Sequence, residues 1–137
     1  MRPRVRAGRY TLYTGPALGG RNDAVALAVY DRPRRRHRWL MVTRGCVNGT
    51  YLHIVAHDDR YVLAYTESRH GRYAENDAPL LLDLHAGVAR RIWTRCPEYA
   101  DDPPTVPHAD GLRHRCVDAD PIDISLADAR ARAEATR

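Results

Sequence analysis

Three short runs rich in apolar residues, between residues 38 and 67, constrain the fold of this chain more than any other feature. The residue pairs Asn48-Gly49 and Asp58-Asp59 separate the runs RWLMVTRGCV, TYLHIVAH and RYVLAYTE. Short runs of this length that are rich in β-branched and aromatic residues and bounded by turn residues are typical of β-strands. Asn-Gly is a strong hairpin signal, because both central positions of a type I′ turn need a positive φ. The pattern therefore predicts an antiparallel meander over this part of the chain.

Counting residue pairs outward from the two turns predicts which side chains share a face of this sheet. The predicted core face carries Trp39, Leu52, Ile54, Tyr61 and Leu63. The opposite face carries Leu40 and a polar group made of Arg44, Cys46, Tyr51 and His53. In this register Cys46 lies opposite Tyr51 and Arg44 lies opposite His53.

Further strands and one helix are predicted on either side of the meander. Residues 9–14 and 24–31 are expected to be strands, residues 15–23 a glycine-rich loop, and residues 80–94 a hairpin that pairs Asp83 with Arg90. Residues 96–124 are rich in proline and acids and predict an extended, loop-like segment. Ser125 can cap a short helix over 125–136, with Asp128 three residues on.

Together these elements predict a mainly β protein with one domain over residues 1–137. The expected fold is an antiparallel meander of six or seven strands, forming a sandwich or a barrel, with its strand core at about 9–94. The extended segment and the C-terminal helix complete it. A chain of 137 residues is long enough to bury a core without disulfides or a structural metal.

The apolar runs, the N-terminus and the cysteines of the chain predict its cellular location. No run of eighteen apolar residues is present, so we expect no membrane span. The basic N-terminus lacks the apolar region of a signal peptide. The three cysteines are an odd number without an export signal, which predicts reduced thiols and a cytoplasmic location.

Positive charge is concentrated near the start of the chain. All 22 basic residues are arginine, and residues 1–44 hold eleven of them against two aspartates, whereas residues 96–137 carry a net charge of −4. The segment RPRRRHR places five arginines within residues 32–38, at the predicted tip of a hairpin. Arginine binds phosphate through two hydrogen bonds and stacks on bases. The predicted binding residues are Arg32, Arg34, Arg35, Arg36 and Arg38.

Two explanations of the basic segment that need no external partner stay open. It is also what a solvated loop looks like in an arginine-biased protein. Alternatively, it is an internal partner for the acidic C-terminal segment. Tyrosines and Trp39 flank the segment, which favours a single-stranded nucleic acid among external partners.

An enzyme or small-ligand protein is the first alternative function. Its pocket would lie on the sheet face with Arg44, Cys46, Tyr51 and His53, where a neighbouring arginine would lower the pKa of a cysteine thiol. The chain contains no nucleophile elbow, phosphate-binding loop or dinucleotide fingerprint. Catalytic residues can also come from scattered positions without such motifs. The basic segment is the strongest single feature of the sequence, and it favours a protein that is not an enzyme.

A zinc-stabilised accessory protein is the second alternative. Cys96, His108, His114 and Cys116 lie within twenty-one residues, and thiolate and imidazole ligands suit tetrahedral zinc. Their spacing matches no standard zinc module, and surface histidines with packed thiols explain it equally well. Zinc apart, no cofactor is expected.

The function predicted from the sequence is thus a small binding module that is not an enzyme. Its basic loop would engage an anionic partner, either a nucleic acid or an acidic protein surface.

Overall fold

A computed structural model describes residues 4–18, 24–44, 51–70, 73–76, 79–93, 105–116 and 119–135. In these residues the elements are β1 Arg4–Ala7, β2 Tyr10–Leu18, β3 Ala24–Asp31, β4 Arg36–Arg44, β5 Tyr51–His57, β6 Tyr61–His70, β7 Tyr73–Asn76, β8 Leu80–Asp83, β9 Val88–Arg91, β10 Thr105–His108, β11 Gly111–His114, β12 Ile122–Ile124 and α1 Leu126–Ala135. The protein is mainly β, as the sequence predicts.

The first nine strands form one antiparallel sheet. Its central path runs β4-β3-β2-β5-β6-β8-β9, while β1 pairs with β2 and β7 pairs with β6. Strand β2 joins the two halves, because Tyr10–Tyr13 pair with β1 and β3 whereas Gly15 and Pro16 pair with β5. The sheet curls until its end strands β4 and β9 lie close together. Strands β10, β11 and β12 form a second, three-stranded sheet.

Two apolar clusters form the core. The inner cluster gathers side chains from one face of the large sheet: Ala7, Tyr10, Leu12, Leu27, Val29, Leu40, Leu52, Val62, Ala64, Leu80, Leu82 and Leu84. The helix-side cluster lies on the other face of β6 and β8, against β11, β12 and α1: Tyr61, Leu63, Tyr65, Leu81, Ile92, Leu112, Ile124, Ala129 and Ala133. Burial on both faces explains why the first five residues of β6, Tyr61–Tyr65, and the first three of β8, Leu80–Leu82, are all apolar.

The predicted helix is confirmed at α1. Ser125 Oγ accepts the N–H of Asp128 at 3.1 Å, and the Asp128 carboxylate accepts the N–H of Ser125 at 3.3 Å. This reciprocal pair is a capping box that satisfies donors at the helix start. Ala129 and Ala133, one turn apart, face the helix-side cluster and are buried.

The single meander of six or seven strands is wrong. Strand β4 pairs with β3, and β5 pairs with β2 and β6, so the hairpin predicted between β4 and β5 is not formed. The predicted turn at Asn48-Gly49 lies outside the described residues. A turn signal is local, whereas the choice of partner depends on burial across the whole sheet. Here the second half of β2 provides the edge that β5 extends.

Several registers and faces also differ from the prediction. In β8 and β9, Asp83 pairs with Val88 rather than Arg90. A β-bulge lies between Ile54 and Ala56 and shifts β5 against β6. Trp39, predicted in the core, is 57% exposed, and its neighbour Leu40 is fully buried.

Two predicted loops contain strand. Strand β2 continues to Leu18, into the segment 15–23 that the sequence indicates as a loop, and residues 19–23 lie outside the described residues. Strands β10, β11 and β12 fall within the predicted extended segment 96–124, of which residues 96–104 and 117–118 are not described.

Candidate nucleic-acid interface

A four-residue loop between β3 and β4 carries the arginine-rich segment. Asp31, the last residue of β3, pairs with Arg36, the first residue of β4. The N–H of Arg35 donates to the carbonyl oxygen of Arg32 across 3.3 Å, and Arg35 has a φ of 52°. A non-glycine residue with positive φ is uncommon and here reverses the chain. The segment therefore lies at the tip of a hairpin, as its sequence predicts.

Arg32 fixes this hairpin to the rest of the sheet. Its Nη1 donates to the carbonyl oxygen of Tyr10 at 2.8 Å and to Thr11 Oγ1 at 3.0 Å, and its Nη2 donates to the carbonyl oxygen of Gly8. The N–H of Arg32 also donates to the carbonyl oxygen of Arg9. These contacts bind the guanidinium to the protein's own backbone, so Arg32 positions the loop.

The acid beside the loop is neutralised by a neighbour. Arg9 Nε and Nη2 each lie 2.9 Å from one carboxylate oxygen of Asp31. This two-point contact is the strongest geometry for an arginine–carboxylate pair. Because Arg9 occupies both oxygens, Asp31 is already paired where β3 enters the loop.

The tip arginines (Arg34, Arg35 and Arg36) are exposed. None of them makes an ion pair within the described part of the chain. Arg38 is also exposed, and its guanidinium lies 5.8 Å from the centre of the Tyr10 ring. Three adjacent cations without a described counter-charge create a local positive potential that attracts an anion.

Several other arginines of the described structure, unlike the tip arginines, are paired with acids. Arg60 donates to both carboxylate oxygens of the buried Asp83, at 3.2 and 3.0 Å. Arg130 Nη1 lies 2.6 Å from Asp58, and the guanidinium groups of Arg60 and Arg130 lie 5.0 and 5.1 Å from the ring centre of Tyr61. These contacts tie the β5–β6 turn to β8 and to α1.

The same contacts shift the pKa values of the paired acids and of Arg60. Burial alone would raise the pKa of the Asp83 carboxyl, but its hydrogen bond from Arg60 and those from backbone N–H groups lower it below its usual value. Burial also opposes ionisation of Asp58, and the N–H groups of Tyr61 and Arg60 outweigh it, so that pKa is lowered too. Reciprocally, the Asp83 hydrogen bond raises the pKa of Arg60.

The predicted group of Arg44, Cys46, Tyr51 and His53 depends on a hairpin between β4 and β5. That hairpin is not formed. Arg44 pairs in the backbone with Ala24, and Tyr51 pairs with Glu67. His53 pairs with Tyr65 and stacks on its ring, with centroids 4.8 Å apart. Cys46 and the side chains of Arg44 and Tyr51 lie outside the described parts of the structure. A pocket formed by these four residues remains a hypothesis from the sequence.

The two histidines of the predicted zinc set, His108 and His114, lie on opposite faces of the small sheet. His108 accepts from Arg113 at 3.0 Å, on one face. His114 is buried, and its ring nitrogens lie 2.9 Å from Thr105 Oγ1 and 3.8 Å from Cys116 Sγ. No group of three or more metal-ligating side chains occurs among the described residues. Binding of one zinc ion by the predicted set would require both histidines on one side of this sheet.

Cys116 is disulfide-bonded, contrary to the prediction of reduced thiols. Cys46 and Cys96, the two other cysteines of the sequence, both lie outside the described residues. A disulfide-bonded sulfur cannot serve as a thiolate ligand, so the predicted zinc site would also need reduced Cys116.

Two residue pairs of the hairpin surface were not predicted from the sequence. Arg9 pairs with Asp31, which lies twenty-two positions away and has no local signal. Tyr30 lies opposite His37, a pair that counting back from a four-residue loop over 32–35 would predict.

No family model matches this sequence, and neither the curated proteins nor the solved structures searched contain a match. The described residues include no helix long and apolar enough to cross a membrane.

Proposed function

We propose that this protein is a binding module for nucleic acid, with the tip arginines contacting the phosphate backbone. The observation that carries the proposal is the presence of three consecutive exposed arginines at a hairpin end, whereas several other arginines are held by the protein's own groups. Arg9, Arg60, Arg113 and Arg130 are paired with carboxylates, and Arg32 is bound to backbone carbonyls. The tip arginines are exposed at the end of a hairpin that Arg32 holds in place.

Three acids of the C-terminal region that the structure describes contact parts of the chain other than the tip. Asp123 pairs with Arg113 at 2.7 Å, Asp128 caps α1, and Glu134 lies 3.7 Å from Arg130. Their contacts are with other parts of the chain. This supports an external anion as the counter-charge of the tip arginines.

Phosphate is the anion that best suits this tip. A guanidinium offers a planar set of donors that matches two phosphate oxygens. Three such groups on consecutive residues, on both sides of a reversed chain, can contact a line of phosphates. Contacts of this kind give binding without sequence preference and with a steep dependence on salt.

The test is fluorescence anisotropy with labelled single-stranded RNA and DNA at several salt concentrations. The variant is Arg34→Ala with Arg36→Ala, which leaves the positive φ of Arg35 undisturbed. The control is Arg115→Ala with Arg132→Ala, which removes the same charge from two other exposed arginines. Both variants must keep the circular dichroism spectrum of the parent.

We expect tight binding at low salt that weakens steeply as salt rises. Each lost phosphate contact should lower the slope of log affinity against log salt by about 0.7 for a single strand. The tip variant should therefore lose about 1.4 from the slope, and the control far less. Absence of binding at low salt, or equal losses in both variants, would refute the proposal. Salt-insensitive binding to an acidic protein would refute it as well.

A further inference from the structure

The face of β1 to β4 that points away from the inner cluster carries a row of aromatic rings. Side chains alternate along a strand, so residues next to the inner-cluster members Leu12, Val29 and Leu40 point outward. The backbone pairs are Thr11 with Tyr30, Tyr30 with His37, Tyr13 with Ala28, and Ala28 with Trp39. The outer face is defined here by its aromatic residues, Tyr13, Tyr30, His37 and Trp39.

These rings are accessible and partly pre-arranged. The rings of Tyr30 and His37 stack, with centroids 4.5 Å apart and planes at 26°. His37 is exposed, and Trp39 is 57% exposed, one of the few large apolar side chains so exposed in the described structure. A tryptophan left this exposed on a sheet face beside a basic loop indicates a surface that binds something.

We propose that the outer face stacks the bases of a single-stranded nucleic acid whose phosphates contact the tip arginines. This inference rests on the proposed function and adds its substrate class. His37 and Trp39 lie two residues apart on β4, about 7 Å along the strand. They are thus separated enough to engage successive bases. His37 also follows Arg36 directly, so base and phosphate contacts would be continuous.

Single strands fit this arrangement better than duplexes do. Aromatic side chains stack on bases that are not already stacked in a helix, and a positively charged surface follows the backbone. A duplex keeps its base faces covered by neighbouring base pairs. The outer face would therefore add no affinity for a duplex, and only the tip arginines would contribute to duplex binding.

Charge distinguishes this ligand from a second copy of the chain. The outer face borders the tip arginines, and Arg6, opposite Thr11 in the β1–β2 pair, is exposed. A second copy docked on this face would bring the same cations with it. A nucleic acid brings aromatic bases together with negative charge, which complements both features of the surface.

The experiment compares Trp39→Ala with Ile122→Ala, which shortens an exposed apolar side chain on the small sheet. Binding of labelled twelve-nucleotide uridine and thymidine strands is measured at several salt concentrations. A blunt duplex of twelve base pairs and inorganic polyphosphate serve as probes without accessible bases. Trp39→Phe keeps an aromatic ring and separates stacking from any effect on the fold.

We expect Trp39→Ala to weaken single-strand binding on the order of tenfold with an unchanged salt slope. Trp39→Phe should recover most of that loss, and Ile122→Ala should stay within about twofold of the parent. Polyphosphate and duplex binding should be the same in the parent and in Trp39→Ala.

Several results would overturn the inference. One is single-strand affinity that is unchanged in Trp39→Ala, and another is a duplex bound as tightly as the single strand. A third is a dimer that Trp39→Ala dissociates, which would assign the outer face to a second copy. If the Arg34 and Arg36 variant still lowers the salt slope in the first two cases, the proposed function survives and only base stacking fails.

Discussion

Removal of the Asp83 carboxylate is expected to destabilise the protein more than loss of any exposed acid. Asp83 is fully buried, accepts two hydrogen bonds from Arg60, and accepts the backbone N–H groups of His85 and Ala86, each at 3.1 Å. It therefore holds the β8–β9 turn and connects it to the β5–β6 turn. The variants are Asp83→Ala and Asp83→Asn.

The magnitude follows from the groups left without a partner. Each buried donor that loses its acceptor costs about 1–3 kcal/mol, and breaking a buried pair costs about 3–5 kcal/mol. Arg60 is 30% exposed and can be rehydrated, so the lower end applies. We expect Asp83→Ala to lose about 3 kcal/mol of unfolding free energy. Asp83→Asn should lose about 2 kcal/mol, because its amide oxygen still accepts.

Urea unfolding at neutral pH measures these losses. With an m value of about 2 kcal/mol per molar, the midpoint of Asp83→Ala should fall by about 1.5 M. The control is Asp120→Asn, an exposed carboxylate that should stay within about 0.5 kcal/mol of the parent. A midpoint for Asp83→Ala equal to that of this control would refute the reasoning.

The lowered pKa of Asp83 also determines how the free energy of unfolding changes with pH. A carboxyl with a lowered folded pKa stabilises the protein fully above its unfolded pKa, about 3.9, and loses that contribution as pH falls through its folded pKa. The stability difference between the parent and Asp83→Asn should therefore be constant from about pH 5 upward and shrink below about pH 4. A difference that grows on acidification would contradict the assigned pKa direction.

Three further outcomes test other parts of the fold. Ser125→Ala removes the capping box with Asp128 and should cost about 1 kcal/mol in urea unfolding, whereas the same change outside a cap should cost little. Gly111→Ala places a Cβ in direct clash with the carbonyl oxygen of Ile124, so this variant should lower the melting temperature strongly or fail to fold. Because Cys116 is disulfide-bonded, the denatured protein should titrate with one free thiol of its three cysteines, and with three after reduction; three thiols without reductant would disprove the bond.

Local signals in the sequence were sufficient for most individual elements. A short apolar run with valines, followed by a proline, indicates β3 over Ala24–Asp31, because length and side-chain type are properties of the segment itself. The Ser125 and Asp128 spacing predicts the start of α1, because a capping box is formed within four residues. The basic tip is equally local, since a run of arginines after a strand cannot be buried.

Only the tertiary structure decides which strands pair, in which register, and which face of each strand is buried. Trp39 and Leu40 are adjacent and both apolar, so the choice of the buried one depends on the strand that β4 meets. A shift of one residue exchanges the two faces of a strand, and only the summed burial of the curled sheet selects the register. Asp83 likewise pairs with Arg60, twenty-three positions away, rather than with Arg90 opposite it in a predicted hairpin. Such pairs depend on three-dimensional proximity, which no local spacing encodes.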